Sequence, residues 1–303
     1  MKYIDAHVHA FPSTEMGFDW QEIVGMTNPK RAGVLSELEP LLDEAGIEQV
    51  VLLLFARSGE HYRQLRQTRP EATEAEIRAQ VAQEIRDYNR WGVAAAGRDP
   101  RLIPFVGINV RYLDADEIRA EIDELVALGA RGVKIIPPSM GLYGDDPLLD
   151  PLWQRCWELQ LPVLTQSGDG GGPPPGPGQD HFGRPSHHEP TLRNFPGLTL
   201  ILAHLGHGYT DDVVSLTQRY ENVYTDTSFQ FSNVGREGGR EARELVDSIR
   251  RMGTDKVLLG SNFPMVNPAG YVQTLQQLPF GDAERAQIGA DNARRCLRLG
   301  TPD

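Results

Sequence analysis

Two histidines, His7 and His9, stand one residue apart in the stretch YIDAHVHA. Alternation along an extended strand puts both imidazoles on one side, where they can grip one ion or one substrate. Further short apolar runs end at Asn109 and Arg111, at Lys134, Gln166 and His204, and at Asp226 and Asn262. These are groups that do chemistry. Imidazole titrates near neutral pH and serves as acid, base or metal ligand. A lysine can stabilise an oxyanion, amides supply fixed hydrogen bonds, and a carboxylate can orient an imidazole. A His-x-His pair on any one strand is a weak signal. Opening the first of a series of strands, it is a strong one.

Eight runs of four to nine residues carry these ends: 3–8, 49–55, 102–110, 132–136, 162–165, 198–203, 222–226 and 256–260. They are rich in Val, Ile and Leu and bounded by turn residues, as strands buried on both faces are. Amphipathic stretches separate them, at 34–45, 73–91, 114–128, 149–160, 209–220, 238–252 and 268–277. Within 114–128, Ile118, Ile122, Leu125 and Val126 share a face, and Asp114 with Glu117 has capping-box spacing. Eight strands alternating with helices predict a single (β/α)8 TIM barrel, an α/β fold, over residues 1–303; a doubly wound open sheet is the alternative. Functional groups of such a barrel sit at the C-terminal ends of its strands. Residues 11–32, with Phe11, Trp20 and Met26, read as a long first loop. Residues 167–188 read as a Gly/Pro-rich, lid-like insertion after strand 5, a disordered linker being the alternative.

Composition narrows the partners. The net charge of −12 argues against nucleic acid, which needs a basic surface. No apolar run reaches membrane-spanning length, and MKYIDAHVHAF lacks a signal-peptide core, so the expected location is cytoplasmic. Cys156 and Cys296 read as two buried thiols in a reducing compartment.

The chain resembles the amidohydrolase superfamily, in the branch of aminocarboxymuconate-semialdehyde decarboxylase and its relatives. The resemblance is carried by IDAHVHA (4–10), GARGVKI (129–135), PVLTQSGDG (162–170), AHLGHG (203–208), NVYTDTS (222–228), LLGSNFP (258–264) and DNARRCLRL (291–299). It implies a (β/α)8 barrel with a mononuclear metal site, often zinc, and hydrolysis or non-oxidative decarboxylation as the chemistry. It maps the family's His-x-His ligands onto His7 and His9, and the histidine that activates water or substrate onto His204. The ligand histidine after the fifth strand falls at Gln166, and the aspartate after the eighth at Asn262. Relatives of this kind are often homodimers.

Two of four ligands are thus neutral amides. Zinc prefers imidazole, thiolate and carboxylate, whereas amide oxygen is neutral and hard. Asn for Asp also removes the base that would deprotonate a metal-bound water. Three readings follow. In the first, no cofactor is needed: His204, His7, His9 and Lys134 act as acid, base and oxyanion-stabilising groups on a small carboxylated or oxygenated molecule. The outcome would be hydrolysis, decarboxylation, cyclisation or isomerisation. In the second, a weakly bound divalent ion (Zn, Mn or Mg) persists through His7, His9 and a substrate oxygen. In the third, the barrel is a catalytically silent binding protein. Gln166, Asn262, Asp169, Arg184 and Asp226 complete the expected site. Arg184 would clamp a substrate carboxylate, and Asp169 would replace the one missing at 262. Asp226 would orient an imidazole or cap the next segment, and Lys134 has a structural ion pair as its alternative. His207 lines the pocket or lies on the loop before 209–220, while His187 and His188 open the next helix.

Overall fold

A computed structural model describes residues 2–168, 180–232, 234–235 and 239–300. Its strands are β1 (Tyr3–Val8), β2 (Ile47–Leu54), β3 (Leu102–Gly107), β4 (Gly132–Ile135), β5 (Val163–Thr165), β6 (Leu200–Leu202), β7 (Val223–Asp226) and β8 (Val257–Leu258). Each pairs in parallel with the next, in the order β1 to β8. The last returns to the first: Ala6 N donates to Leu259 O (2.7 Å), Asn262 N to His7 O (2.8 Å) and His9 N to Phe263 O (2.8 Å). This is the (β/α)8 barrel.

The helices between are α1 (Thr14–Ile23), α2 (Leu35–Ala45), α3 (Ser58–Thr68), α4 (Glu74–Ala96), α5 (Ala115–Ala127), α6 (Pro137–Met140) and α7 (Asp150–Glu158). They continue as α8 (Glu189–Asn194), α9 (Thr210–Arg219), α10 (Ala242–Met252), α11 (Pro268–Gln277), α12 (Asp282–Ala286) and α13 (Asn292–Leu297). The capping box read from Asp114 and Glu117 is present: Asp114 accepts from Glu117 N (2.9 Å) and Glu117 from Asp114 N (3.0 Å).

Residues 11–32 are not all loop. Ser13 accepts from Met16 N (3.2 Å) and starts α1, which buries Trp20. Tertiary packing supplies the order here: Trp20 donates to Phe55 O (3.1 Å) and lies against Phe11, contacts that local periodicity does not register. Helix α3 likewise occupies a stretch without an apolar repeat. From β3 onward the strands are shorter than the apolar runs, which continue into the loops that line the mouth. Of the Gly/Pro-rich insertion, residues 169–179 lie outside the described residues; its downstream part ends in a single turn of 3₁₀ helix, Pro185–His188.

Two apolar layers result. Ile4, Ala6, Val51, Leu53, Phe105, Leu164, Ile201 and Leu258 fill the barrel, while residues of opposite parity such as Val133, Ile135 and Val163 pack beneath the helices. Period-two alternation then sends Lys134, Gln166, Asp226 and Asn262 inward. β1 does the same with a device of its own. Its pairing with β2 shifts register between Asp5 and Val8, so inward parity passes from Ile4 and Ala6 to His7 and His9. Both free thiols are buried.

Candidate functional site

The inward side chains meet at the C-terminal mouth. His7, His9, Lys134, His204, Asp226 and Asn262 are all at least nine-tenths buried. His7 Nδ1 lies 2.9 Å from Asp226 Oδ2, and His9 Nδ1 lies 3.2 Å from the Leu53 carbonyl. The three rings are close, with centroids 5.3 Å apart for His7 and His9 and 4.9 Å for His7 and His204. Asp5 braces β1 from beneath, its Oδ1 accepting from Ser261 N (2.8 Å) and His7 N (3.1 Å).

Asp226 is the hub. Its Oδ1 accepts from His204 N (3.0 Å), from Ser228 N (2.9 Å) and from the Ser228 hydroxyl. Orientation of an imidazole and capping, the two roles read for this residue, are both present. The cap matters because His204 and Leu205 hold left-handed backbone, φ 62° and 51°, which non-glycine residues adopt only when held there. Ser228 Oγ also lies 2.5 Å from His204 Nδ1 and 3.2 Å from His7 Nδ1. His204 Nε2 lies 3.2 Å from Gln166 Oε1.

Burial sets the charges. It pushes His204 down to about 3, helped by His7 and Lys134, and drives His9 well below the usual imidazole value. His7 is also lowered by burial, against the pull of Asp226. Burial alone would raise the Asp226 carboxyl; His7, His204 and Ser228 reverse this and hold it below the usual carboxylate range. Lys134 comes down to about 7 by burial, with Asp226 opposing. Among the described residues its Nζ has no hydrogen-bond partner, and neither has the Asn262 Oδ1. Buried polar atoms without partners mark where a bound molecule would supply them. No ion pair of Lys134 is present among the described residues.

Space for this arrangement depends on Gly260. A Cβ there would stand 2.9 Å from His7 Cβ and 3.4 Å from Asp226 Cβ, atoms fixed close to their backbones. Gly260→Ala is expected to cost about 1–3 kcal/mol in urea unfolding and to separate His7 from Asp226. Gly270→Ala, facing open space in α11, is the control that adds a methyl without a clash and should hold or slightly raise stability.

Other expected residues fall elsewhere. Arg184 is half-exposed and bonded to Asp212 (2.8 Å), so its guanidinium is already clamped within the protein. Asn109 donates to Ser58 Oγ (2.7 Å) and Arg111 to Met140 O (2.8 Å). His207, in a left-handed turn, packs against Gly168. His188 is buried 3.1 Å from Thr165 Oγ1 and precedes α8, as read. Asp169 lies outside the described residues. Ser228 and Asp5 were missed, although Ser228 shares inward parity with Asp226 two residues earlier. A cavity of about 960 Å³ opens between α1, α3 and α4, lined among others by Trp20, Tyr88 and Trp91. None of the mouth histidines lines it; the Trp20 ring, 4.7 Å from His9, stands between them.

The fit of a metal follows from the donors. The four positions expected to ligate present two imidazoles and two neutral amides. A carboxylate does lie near: His7, His204 and Asp226 bring one ligand atom each within 4.8 Å of one another. Both Asp226 oxygens, however, already accept hydrogen bonds, Oδ1 three of them, and an ion among these three residues would compete with those donors. The donor set does not fit a family-type zinc centre.

The family model described as Amidohydrolase matches residues 4–299. A gamma-resorcylate decarboxylase from Rhizobium sp. is 25% identical over 294 residues, covering 86% of this chain and 85% of that one. The crystal structure of a 2,6-dihydroxybenzoate decarboxylase from Rhizobium superposes with a TM-score of 0.72 at 19% identity, over 99% of both chains. A dihydroxybenzoic acid decarboxylase from Polaromonas sp., with bound manganese and the inhibitor 2-nitroresorcinol, gives 0.73 at 19% identity, over 99% and 98%. No helix among the described residues is long and apolar enough to cross a membrane.

Proposed function

This chain belongs to the amidohydrolase family, and from that premise we propose that it is a lyase that decarboxylates a small, oxygenated carboxylic acid without the usual zinc. One observation carries the reading: the mouth gathers three buried imidazoles, two amides and a lysine without a hydrogen-bond partner among the described residues, with Asp226 already accepting hydrogen bonds. The names of the relatives favour an aromatic acid with a neighbouring hydroxyl.

Lys134, brought near neutrality by burial, is the mouth group able to exchange a proton at neutral pH. Its ammonium would give a proton to the ring carbon that bears the carboxylate. The C–C bond then breaks, its electron pair returns to the ring, and CO2 leaves. His7, its Nδ1 held by Asp226, would accept a hydrogen bond from a substrate hydroxyl through Nε2, while His204, lowered to about 3 by burial, would position the Gln166 amide. Gln166 and Asn262 would fix orientation through their amides, Asn262 with an oxygen that awaits a donor.

The test is turnover of hydroxybenzoic acids by protein purified without chelator, assayed before and after chelation, with metal content measured by elemental analysis. Turnover that survives chelation, with metal far below one per chain, is the expected result. Stoichiometric metal with activity abolished by chelation would replace this reading with a second, a divalent-metal decarboxylase. The His7–His204–Asp226 grouping and the manganese of the Polaromonas structure favour that one. Lys134→Met is expected to lower kcat on the order of 10²- to 10⁴-fold in either assay.

A further inference from the structure

Resting on the decarboxylase reading, we propose that Ser228 is a positioning residue whose hydroxyl couples Asp226 to His204 and fixes which nitrogen of His204 faces the mouth. Ser228 has one hydroxyl hydrogen and three polar neighbours: Asp226 Oδ1, His204 Nδ1 at 2.5 Å and His7 Nδ1 at 3.2 Å. An ionised carboxylate only accepts, so the hydrogen goes to Asp226. The oxygen must then accept from His204, whose proton therefore sits on Nδ1. His7 is settled in the same way by Asp226 Oδ2 at 2.9 Å. Both rings thus turn a bare Nε2 to the mouth.

The chain of donors reaches one residue further. A bare His204 Nε2 accepts, so the Gln166 amide, whose Oε1 stands 3.2 Å from it, must be turned to present its NH2 group instead. The two ends of an amide have the same shape, and the hydrogen-bond network decides between them. Gln166 then keeps its oxygen free for a substrate hydroxyl. One serine therefore sets the donor and acceptor pattern of two neighbouring groups, His204 and Gln166. Among the described residues the other acceptor near His204 Nδ1 is the Ser228 carbonyl, at 3.3 Å, and it is not joined to the carboxylate.

The test needs no substrate in its first arm. The full-length protein is labelled with nitrogen-15 histidine, and long-range proton–nitrogen spectra at mildly alkaline pH report the tautomer of each ring. His204→Gln and His7→Gln assign two of the eight histidines. Wild type is expected to show His204 and His7 protonated at Nδ1. In Ser228→Ala, His204 is expected to become a mixture of tautomers while His7 is unchanged; in Ser228→Thr the wild-type pattern is retained. If the alanine variant does not fold, Ser228→Cys takes its place, because a thiol bonds too weakly to hold the pattern. An unchanged His204 in either variant overturns the proposal. In the second arm, Ser228→Ala lowers kcat on the order of 10²-fold with little change in KM, and threonine restores it. A threonine variant as slow as alanine would reduce Ser228 to packing. Failure of the decarboxylase reading would leave the spectra untouched, so the two can be told apart.

Discussion

Asp226→Asn is expected to lower kcat roughly 10³- to 10⁴-fold while leaving the protein folded, by analogy with other carboxylate–imidazole pairs in which the amide imposes the wrong tautomer. The asparagine oxygen would stay where Oδ1 is, because three donors converge there: His204 N, Ser228 N and the Ser228 hydroxyl. Its NH2 group would then face His7 Nδ1 and force that proton across to Nε2. An acceptor at the mouth becomes a donor. Asp226→Ala is a different experiment, since it leaves those donors and His7 Nδ1 buried without an acceptor. Removing one partner from a buried charged network of this kind costs about 3–5 kcal/mol, visible as a lower urea midpoint. Near-normal turnover in the asparagine variant would exclude His7 from the chemistry. Near-normal stability in the alanine variant would mean that water reaches the hub.

Much of this site could be read from strand ends, because parity along a strand is a local property. His7, His9, Lys134, Gln166, Asp226 and Asn262 each end an apolar run, and the barrel brings such ends together whatever the loops do. The pairing of Arg184 was not legible for the opposite reason. It lies on a loop, and its partner Asp212 comes from a helix 28 residues further on. Nothing local distinguishes an arginine that waits for a substrate from one already paired. Ser228 was overlooked because a hydroxyl gains its meaning only when the two histidines it joins, from β1 and the turn after β6, are seen on either side. The register shift in β1 was equally hidden. It changes no residue type, yet without it the parity of Ile4 and Ala6 would turn both imidazoles out beneath the helices.

Gln166→His combined with Asn262→Asp is expected to convert a protein with little bound metal into one that holds about one divalent ion per chain. The combination replaces two neutral amide oxygens with an imidazole and a carboxylate, giving the three or four good donors of a catalytic metal site. Position 262 can take the change: its backbone is left-handed, φ 72°, a conformation aspartate tolerates nearly as well as asparagine. The carboxylate would arrive where the Asn262 Oδ1 now lies buried without a partner. At 166 the imidazole would give up the bond to His204 Nε2, freeing that ring to act on a metal-bound water. Elemental analysis and competition with a chelator read the result, and either single change should fall well short of the pair. The outcome discriminates between the two readings of the wild type. If the amides have displaced a metal, the double variant gains both an ion and a dependence on it, and wild-type turnover resists chelation. If the unaltered protein already binds manganese stoichiometrically through His7, His204 and Asp226, the added ligands change little. In that case the hub is a metal site of unusual donors, and its hydrogen bonds are those of the ion-free form.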